Sequence, residues 1–302
     1  MTRTKRILVR VRRARDLVMG VAPIRVTVRA INRMMAREVM LFAGGASFFA
    51  LLALFPAVLV GVSVYGLLFS ADDALNQLSS LQVAEVLPPT AYGFLQSQLS
   101  QIAGAPRLSL GLQSTIAVVI LLFAAGRGAK ALIAGLNQIA GRGDLRNVLH
   151  FNLLAMALVL AGGGLLVASN LIILAVPNLV RPALDWLGAE GIDIRFVFNE
   201  WTTATIAMIV ALMLLYRYLM QRAGETSWSA SFISASVATG LWLAISNGFT
   251  FYVSTIVNPS AYGSLGALIV FLLWIYWASY AVFFGGALAV EIDKLRGETA
   301  PP

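Results

Sequence analysis

The chain of 302 residues contains no cysteine and a single histidine, His150. Without cysteine it forms no disulfide, no thiolate metal site and no cysteine nucleophile, and one histidine excludes every metal motif that needs two. The acidic residues are scattered over predicted loops, without the spacing of a paired acid and base, and no stretch has the glycine pattern of a phosphate-binding loop. We therefore expect that the protein is not an enzyme and binds no metal and no cofactor.

Charge is scarce as well. Only 12% of the residues are charged while 59% are hydrophobic, and the mean hydropathy is +0.82. Residues 44–66, GGASFFALLALFPAVLVGVSVYG, carry no charge at all. About 20 residues at a rise of 1.5 Å cross roughly 30 Å of hydrocarbon, so this run is long enough to span a membrane. Because some forty residues precede it and further runs follow, a cleaved secretion signal is the weaker alternative.

Further runs of the same kind predict six membrane spans in total. They lie near residues 42–69, 110–136, 149–176, 197–220, 230–256 and 264–290. All are long and rich in Leu, Ala, Val and Ile, which favours helices whose backbone groups are satisfied internally over a membrane barrel. The predicted fold class is all-α, a polytopic integral membrane protein with six transmembrane helices.

The domain organisation follows from these runs. Residues 1–40 form a basic segment, 41–292 the transmembrane domain and 293–302 a short tail. In the long connection after the first span, two prolines and helical spacing of apolar residues predict an amphipathic outer helix over 88–103.

Lysine and arginine are concentrated on one side of the predicted membrane. The first forty residues carry eleven of them, whereas the loops on the opposite side hold only Arg107, Arg181 and Arg195. Positively charged segments are retained in the cytoplasm, so both termini are predicted to be cytoplasmic.

The net charge of +8 does not indicate a nucleic-acid partner, because half of the basic residues directly precede the first span. Arg25, Arg29, Arg33 and Arg37 recur every four residues and would form a stripe on one helix. Such a segment suits an interfacial helix that contacts anionic membrane lipids. The alternative is a basic tail that fixes the topology and has no specific ligand.

Ionisable residues inside spans are expensive and usually functional. Arg127 and Lys130 lie three residues apart, on one face of a helix and late in the second run. If that helix continues to Ile139, the pair lies within or just below the inner leaflet and can bind a phosphate or carboxylate headgroup. If the membrane ends before them, both side chains extend to the cytoplasmic interface. Glu291, at the end of the last run, is interpreted as an interface anchor.

Pro56 lies near the middle of the first span and cannot donate a backbone hydrogen bond there. Gly44, Gly45 and Ser47 nearby would let another helix approach closely. Two interpretations stay open: a broken helix that lines a substrate path, and simple packing.

Four segments together resemble the YihY/BrkB family of six-span bacterial inner-membrane proteins. They are ASFFALLALFPAVL in the first span, LPPTAYGFLQSQL in the outer loop, GRGAKALIAGLNQIAGR, and VNPSAYGSLGALIVFLLWIYWASYAVFFGGALAVEI at the end. The resemblance covers residues from about 30 to 295. It implies a location in the bacterial inner membrane and a link to envelope integrity and lipid export.

Two function hypotheses follow. The first is a transporter or flippase-like protein for an anionic amphipathic substrate, a lipid, with Arg127 and Lys130 as headgroup ligands. The second is a non-transporting scaffold for the envelope, and a homo-oligomer is compatible with either. Members of the resembling family have carried a ribonuclease name, but this sequence has no acid cluster or histidine pair for that chemistry, which makes it the least favoured hypothesis.

Overall fold

The computed structural model describes residues 22–68, 107–141, 146–186, 199–221, 226–255 and 259–299. Within these ranges the elements are helices: α1 Ala22–Met34, α2 Arg37–Leu68, α3 Arg107–Ala140, α4 Val148–Trp186, α5 Glu200–Leu214, α6 Trp228–Thr255 and α7 Pro259–Thr299. The helix predicted at 88–103 and the segment before residue 22 lie outside the described residues.

Six of these helices are long and apolar enough to cross a membrane. The candidate spans are Arg37–Gly61, Thr115–Ala140, Val148–Ile173, Trp201–Leu219, Trp228–Val253 and Leu268–Leu295. The prediction of a helical chain with six spans is therefore confirmed. The cytoplasmic location of the termini stays a prediction.

One end of the bundle carries most of the described basic side chains, and we refer to it as the basic end. Hydrogen bonds there join α1 to the end of α3, the start of α4 to the end of α5, and the start of α6 to the end of α7. The basic residues at this end are Arg29, Arg33, Arg37, Arg146, Arg217 and Lys294. The helices therefore alternate in direction.

The first two spans, α2 and α3, pack closely through small residues. A Cβ added at Gly128 of α3 would lie 3.5 Å from the Cβ of Phe49, and one added at Gly45 of α2 would lie 3.6 Å from the Cβ of Ala131. Membrane helices associate through such close contacts, because lipid provides no hydrophobic drive for their association. Helices α2 and α3 thus form a closely packed pair, and α3 of this pair carries Arg127 and Lys130.

The last turn of α5 widens into a π-helical segment, Leu215–Leu219. Its Tyr216 side chain is fully buried and donates a hydrogen bond to the carbonyl of Val282 in α7 at 2.8 Å. Asn137 of α3, also buried, accepts a hydrogen bond from the backbone N–H of Gln221 at 2.8 Å. These side chains satisfy the polar groups that an irregular helix end leaves inside the bundle.

The predicted stripe of four arginines is interrupted, which corrects the assumption of one continuous helix. α1 ends at Met34 and α2 begins with Arg37, so Arg37 does not share a helix with the other three. The remaining helix is docked on the bundle: its Val26 and Ala30 are buried in the same core cluster as residues of α3 and α7. Burial of one face gives α1 a fixed position at the basic end.

Candidate functional site

Arg127 and Lys130 lie on an uninterrupted helix, because α3 continues past Ile139 to Ala140. At a rise of 1.5 Å per residue, Arg127 is about 20 Å and Lys130 about 15 Å from that helix end along the axis. The candidate span Thr115–Ala140 has both residues near its middle. This continuation of the helix is the condition under which the sequence predicts a headgroup site.

The two cations point away from the bundle. Arg127 is exposed and Lys130 half-buried, while Gly128 and Ala129 between them are buried. Exposed apolar residues, Phe123 among them, continue the same outward face of α3. The cations therefore interrupt an apolar surface that the other described helices leave uncovered.

The contacts of the pair with the described residues include an aromatic ring but no carboxylate. The guanidinium of Arg127 lies over the ring of Phe123, 5.1 Å from its centroid, a cation–π contact that is worth about 0.5–2 kcal/mol. Among the described residues no ion pair joins Arg127 or Lys130 to a carboxylate. A cation near the middle of a bilayer is costly, and an anionic group that reaches it lowers that cost.

A cavity of about 540 Å³ lies on the opposite, inner side of α3. Its lining comes from α2, α3, α4, α5 and α7 and consists of small and aliphatic residues, with Ser279 as the single polar side chain. Neither Arg127 nor Lys130 belongs to this lining. The lining therefore offers a headgroup no polar side chain other than Ser279.

The residues proposed for a helix break do not line the cavity either. α2 is helical on both sides of Pro56, which is buried. Gly45 packs against Ala131, and Ser47 donates to the carbonyl of Ala43 at 2.6 Å. At Gly44 an added Cβ would meet no atom within 4 Å. The role of these residues in a substrate path stays a prediction.

Glu291 organises the basic end. Its side chain is 4% exposed and lies 2.5 Å from Nε of Arg33, 3.8 Å from Nη1 of Arg29 and 4.0 Å from Nζ of Lys294. The guanidinium of Arg33 also donates to the carbonyl of Ile139 at 3.0 Å, at the negative end of the α3 dipole. Arg29 and Arg33 are thus engaged with the protein, and lipid contact of the four predicted arginines stays a prediction.

Sequence reasoning missed this ion-pair cluster. One signal for it was present in the sequence. Glu291 is an acidic residue at the end of a span where basic residues dominate, and a carboxylate in such a place attracts several cations.

A second polar network closes the basic end beside this cluster. Arg217 lies over the ring of Trp228, 4.4 Å from its centroid, and donates to the carbonyl of Thr226 at 2.5 Å. The Ser227 hydroxyl donates to Asp293 at 2.7 Å, which joins the start of α6 to α7. In the part of the chain that the structure describes, no group of three His, Asp or Glu side chains is placed to hold a metal ion.

Comparison with curated proteins finds three distant relatives. A protein of Bacillus subtilis (strain 168) named ribonuclease-like protein YfkH is 26% identical over 83% of this chain and 88% of its own length. UPF0761 membrane proteins of Nitrosospira multiformis and Alkalilimnicola ehrlichii are 23% and 25% identical over 84% and 79% of this chain. The chain spans 57% and 52% of those two proteins, about half of their length. No solved structure matches.

The family comparison covers almost the whole chain. The sequence model of the family described as Virulence factor BrkB matches residues 30–302, from the middle of α1 to the last residue. A match of this extent includes all six candidate spans. The protein is therefore a membrane protein that belongs to the Virulence factor BrkB family.

Proposed function

We propose that the protein moves anionic lipids across the bacterial inner membrane, and that Arg127 and Lys130 bind the headgroup on the outward face of α3. The observation that carries this proposal is the position of the pair: two cations near the middle of a candidate span, Arg127 exposed and Lys130 half-buried, with no ion-paired carboxylate among the described residues.

The physical obstacle to lipid movement is the headgroup, because its charge loses water on entering the hydrocarbon. A guanidinium and an ammonium three residues apart replace part of that hydration with charge-assisted hydrogen bonds to a phosphate. Their location near mid-span is where the loss of hydration is greatest. The pair therefore lowers the barrier where it is highest.

The lipid tails need no channel under this mechanism. Apolar side chains flank the cations on the outward face of α3, among them Ile120 and Phe123. Acyl chains stay in the bilayer beside these residues while the headgroup travels along the protein surface. Such a surface route is compatible with an interior cavity that is apolar, and movement down the lipid's own gradient needs no nucleotide.

A scaffold function is the second candidate, and the closed basic end favours it. Glu291 and the Arg217 network hold α1, α3, α5, α6 and α7 together there, while Arg29 keeps 44% of its side chain exposed for an external anion. A scaffold would bind anionic lipid through that end and would move none.

The test is a headgroup-selective translocation assay in proteoliposomes. Fluorescent phosphatidylglycerol and phosphatidylcholine are added in trace amounts. A membrane-impermeant reductant then quenches the fluorophore of the lipids in the outer leaflet, and the rate at which the remaining fluorescence is lost measures lipid movement. The Arg127→Ala, Lys130→Ala double variant is compared with an Ile116→Ala, Val119→Ala double variant, which alters exposed positions of the same helix without removing charge.

We expect fast phosphatidylglycerol movement with the native protein and the apolar control, and loss of it in the cation variant. Native protein that translocates neither lipid would refute the transport proposal and leave the scaffold. Equal phosphatidylglycerol translocation by the native protein and the cation variant would show that Arg127 and Lys130 do not bind the headgroup during transport.

A further inference from the structure

We propose that the apolar cavity between α2, α3, α4, α5 and α7 is a binding site for one acyl chain of a membrane phospholipid. The site goes beyond the transport proposal, because it lies on the inner side of α3 while Arg127 and Lys130 lie on the outer side. Either proposal can therefore be refuted by experiment without refuting the other.

The lining selects hydrocarbon. Helix α2 contributes Ala46, Ala50, Ala53 and Ala57, which recur at helical spacing, and the other helices add mostly Ala, Gly and Leu. The hydroxyl of Ser279 is already used, because it donates to the carbonyl of Ile275 at 2.9 Å. Water needs two to four polar partners to occupy a cavity, and apolar cavities much smaller than 540 Å³ bind apolar molecules instead.

The length of the cavity fits one leaflet. Its lining on α2 extends from Ala46 to Ala57, which is about 16 Å along the helix axis at 1.5 Å per residue. Half of the hydrocarbon core of a bilayer is about 15 Å thick. A chain that enters from one leaflet therefore fills the cavity along its length.

An entrance from the bilayer lies at α4. Gly162 belongs to the cavity lining and is also exposed on the surface of the bundle. At Gly162, Gly163 and Gly164 an added Cβ would meet no atom within 4 Å. Of the described α4 residues, only Ala155 and Ser169 are buried, so this helix leaves a gap beside the cavity that faces lipid.

The experiment is photocrosslinking of the full chain in lipid nanodiscs. The probe is phosphatidylethanolamine with a diazirine in the middle of one palmitoyl chain, and adducts are mapped on peptides by mass spectrometry. We expect adducts resolved to the lining residues of α2 (Ala46, Ala50, Ala53 and Ala57) and of α7 (Ile275, Ser279 and Val282), and several-fold lower yield with excess unlabelled lipid.

Two substitutions on α5 give a matched comparison. Ala211 lines the cavity, whereas Ala204 is exposed on the same helix. Ala211→Phe should fill the cavity and lower the adduct yield several-fold, and Ala204→Phe should leave it unchanged. If Ala211→Phe fails to fold, Ala50→Phe on α2 serves as the second filling variant.

Three outcomes would overturn the inference. The first is an adduct yield that is the same in the native protein and in a folded filling variant. The second is labelling confined to exposed α2 residues such as Leu52 and Phe55. The third is cavity labelling by diazirine-bearing palmitic acid but not by the phospholipid, which would exclude the phospholipid as the source of the chain.

Discussion

Arg33 and Glu291 are joined at the basic end although 258 positions separate them, with Nε 2.5 Å from Oε1. The same guanidinium reaches the carbonyl of Ile139, so one side chain ties α1 to both α3 and α7. Helix α1 is therefore part of the bundle. Removal of one partner from a buried ion pair is destabilising, because it leaves the other charge uncompensated.

Loss of the Glu291 charge should release α1. Glu291→Gln removes the ionic attraction for Arg29 and Arg33, and its cost should stay below the 3–5 kcal/mol of a fully buried pair, because Arg33 is 26% exposed. The native chain has no cysteine, so Ala30→Cys places a unique thiol at a buried position of α1. We expect faster maleimide labelling at position 30 when Glu291→Gln is added.

The control for that experiment is Glu38→Gln, because Glu38 is an exposed carboxylate near the same end. It should leave labelling at position 30 slow. A labelling rate that Glu291→Gln does not change would contradict the role of this ion pair in docking α1.

Gly285→Ala should destabilise the bundle. A Cβ at this position would clash with the hydroxyl of Tyr216 and lie 2.7 Å from the Cβ of Ala238. Overpacking of this kind costs about 1–3 kcal/mol. At Gly240 an added Cβ would meet no atom within 4 Å, so Gly240→Ala is the matched control. Thermal unfolding in detergent should show a lower midpoint for Gly285→Ala alone, and equal midpoints would argue against the close approach of α5 and α7.

Asn137→Leu should destabilise the end of α5. The change keeps the size of the side chain but removes the acceptor for the backbone N–H of Gln221, whose loss costs about 1–3 kcal/mol. The neighbouring Gln138 is exposed, and Gln138→Leu should have little effect. Thermal unfolding of the two variants in the same detergent measures the difference, and similar midpoints would show that this hydrogen bond contributes little.

The predicted orientation can be tested with two single thiols. Met35 is 74% exposed beside the basic end, and Thr255 is exposed at the other end of α6. In intact cells, a membrane-impermeant maleimide should label Thr255→Cys and spare Met35→Cys until the membrane is opened. The reverse pattern would place both termini outside the cytoplasm.

Two substitutions of Arg127 should distinguish the effect of its charge from the effect of its hydrogen-bonding geometry. Arg127→Lys keeps the charge but loses the bidentate fork that a phosphate prefers. We expect phosphatidylglycerol movement to fall in the order native, Arg127→Lys, Arg127→Ala, when measured at equal protein in proteoliposomes. Equal rates for the last two would mean that net charge at this position does not contribute.

The spans were predictable because each requires a long uncharged run, and hydrocarbon accepts few other backbone solutions. The spacing of Arg127 and Lys130 likewise placed both on one face of α3. The spacing did not indicate whether that face packs against other helices or points outward, since a membrane helix is apolar toward lipid as well as toward its neighbours. Only the contacts of Gly128 and Ala129 with other helices show that the cations lie on the outside.

The basic end was less predictable. Met35 and Ala36, where α1 and α2 separate, include no proline or glycine to mark a break. The partner of Glu291 could not be inferred from periodicity, because the ion pair joins the first and last helices of the bundle. Long-range pairs of this kind depend on how helices pack, and local spacing carries no information about that.

The Arg33–Glu291 pair also fixes an order of events during synthesis. The ribosome makes Glu291 258 residues after Arg33, a delay of roughly 13 to 50 s at bacterial and eukaryotic elongation rates. Throughout that interval Arg29 and Arg33 have no carboxylate from α7 to bind. The ion pairs between α1 and α7 are therefore formed last, only after the last span has been inserted with Glu291 at the basic end.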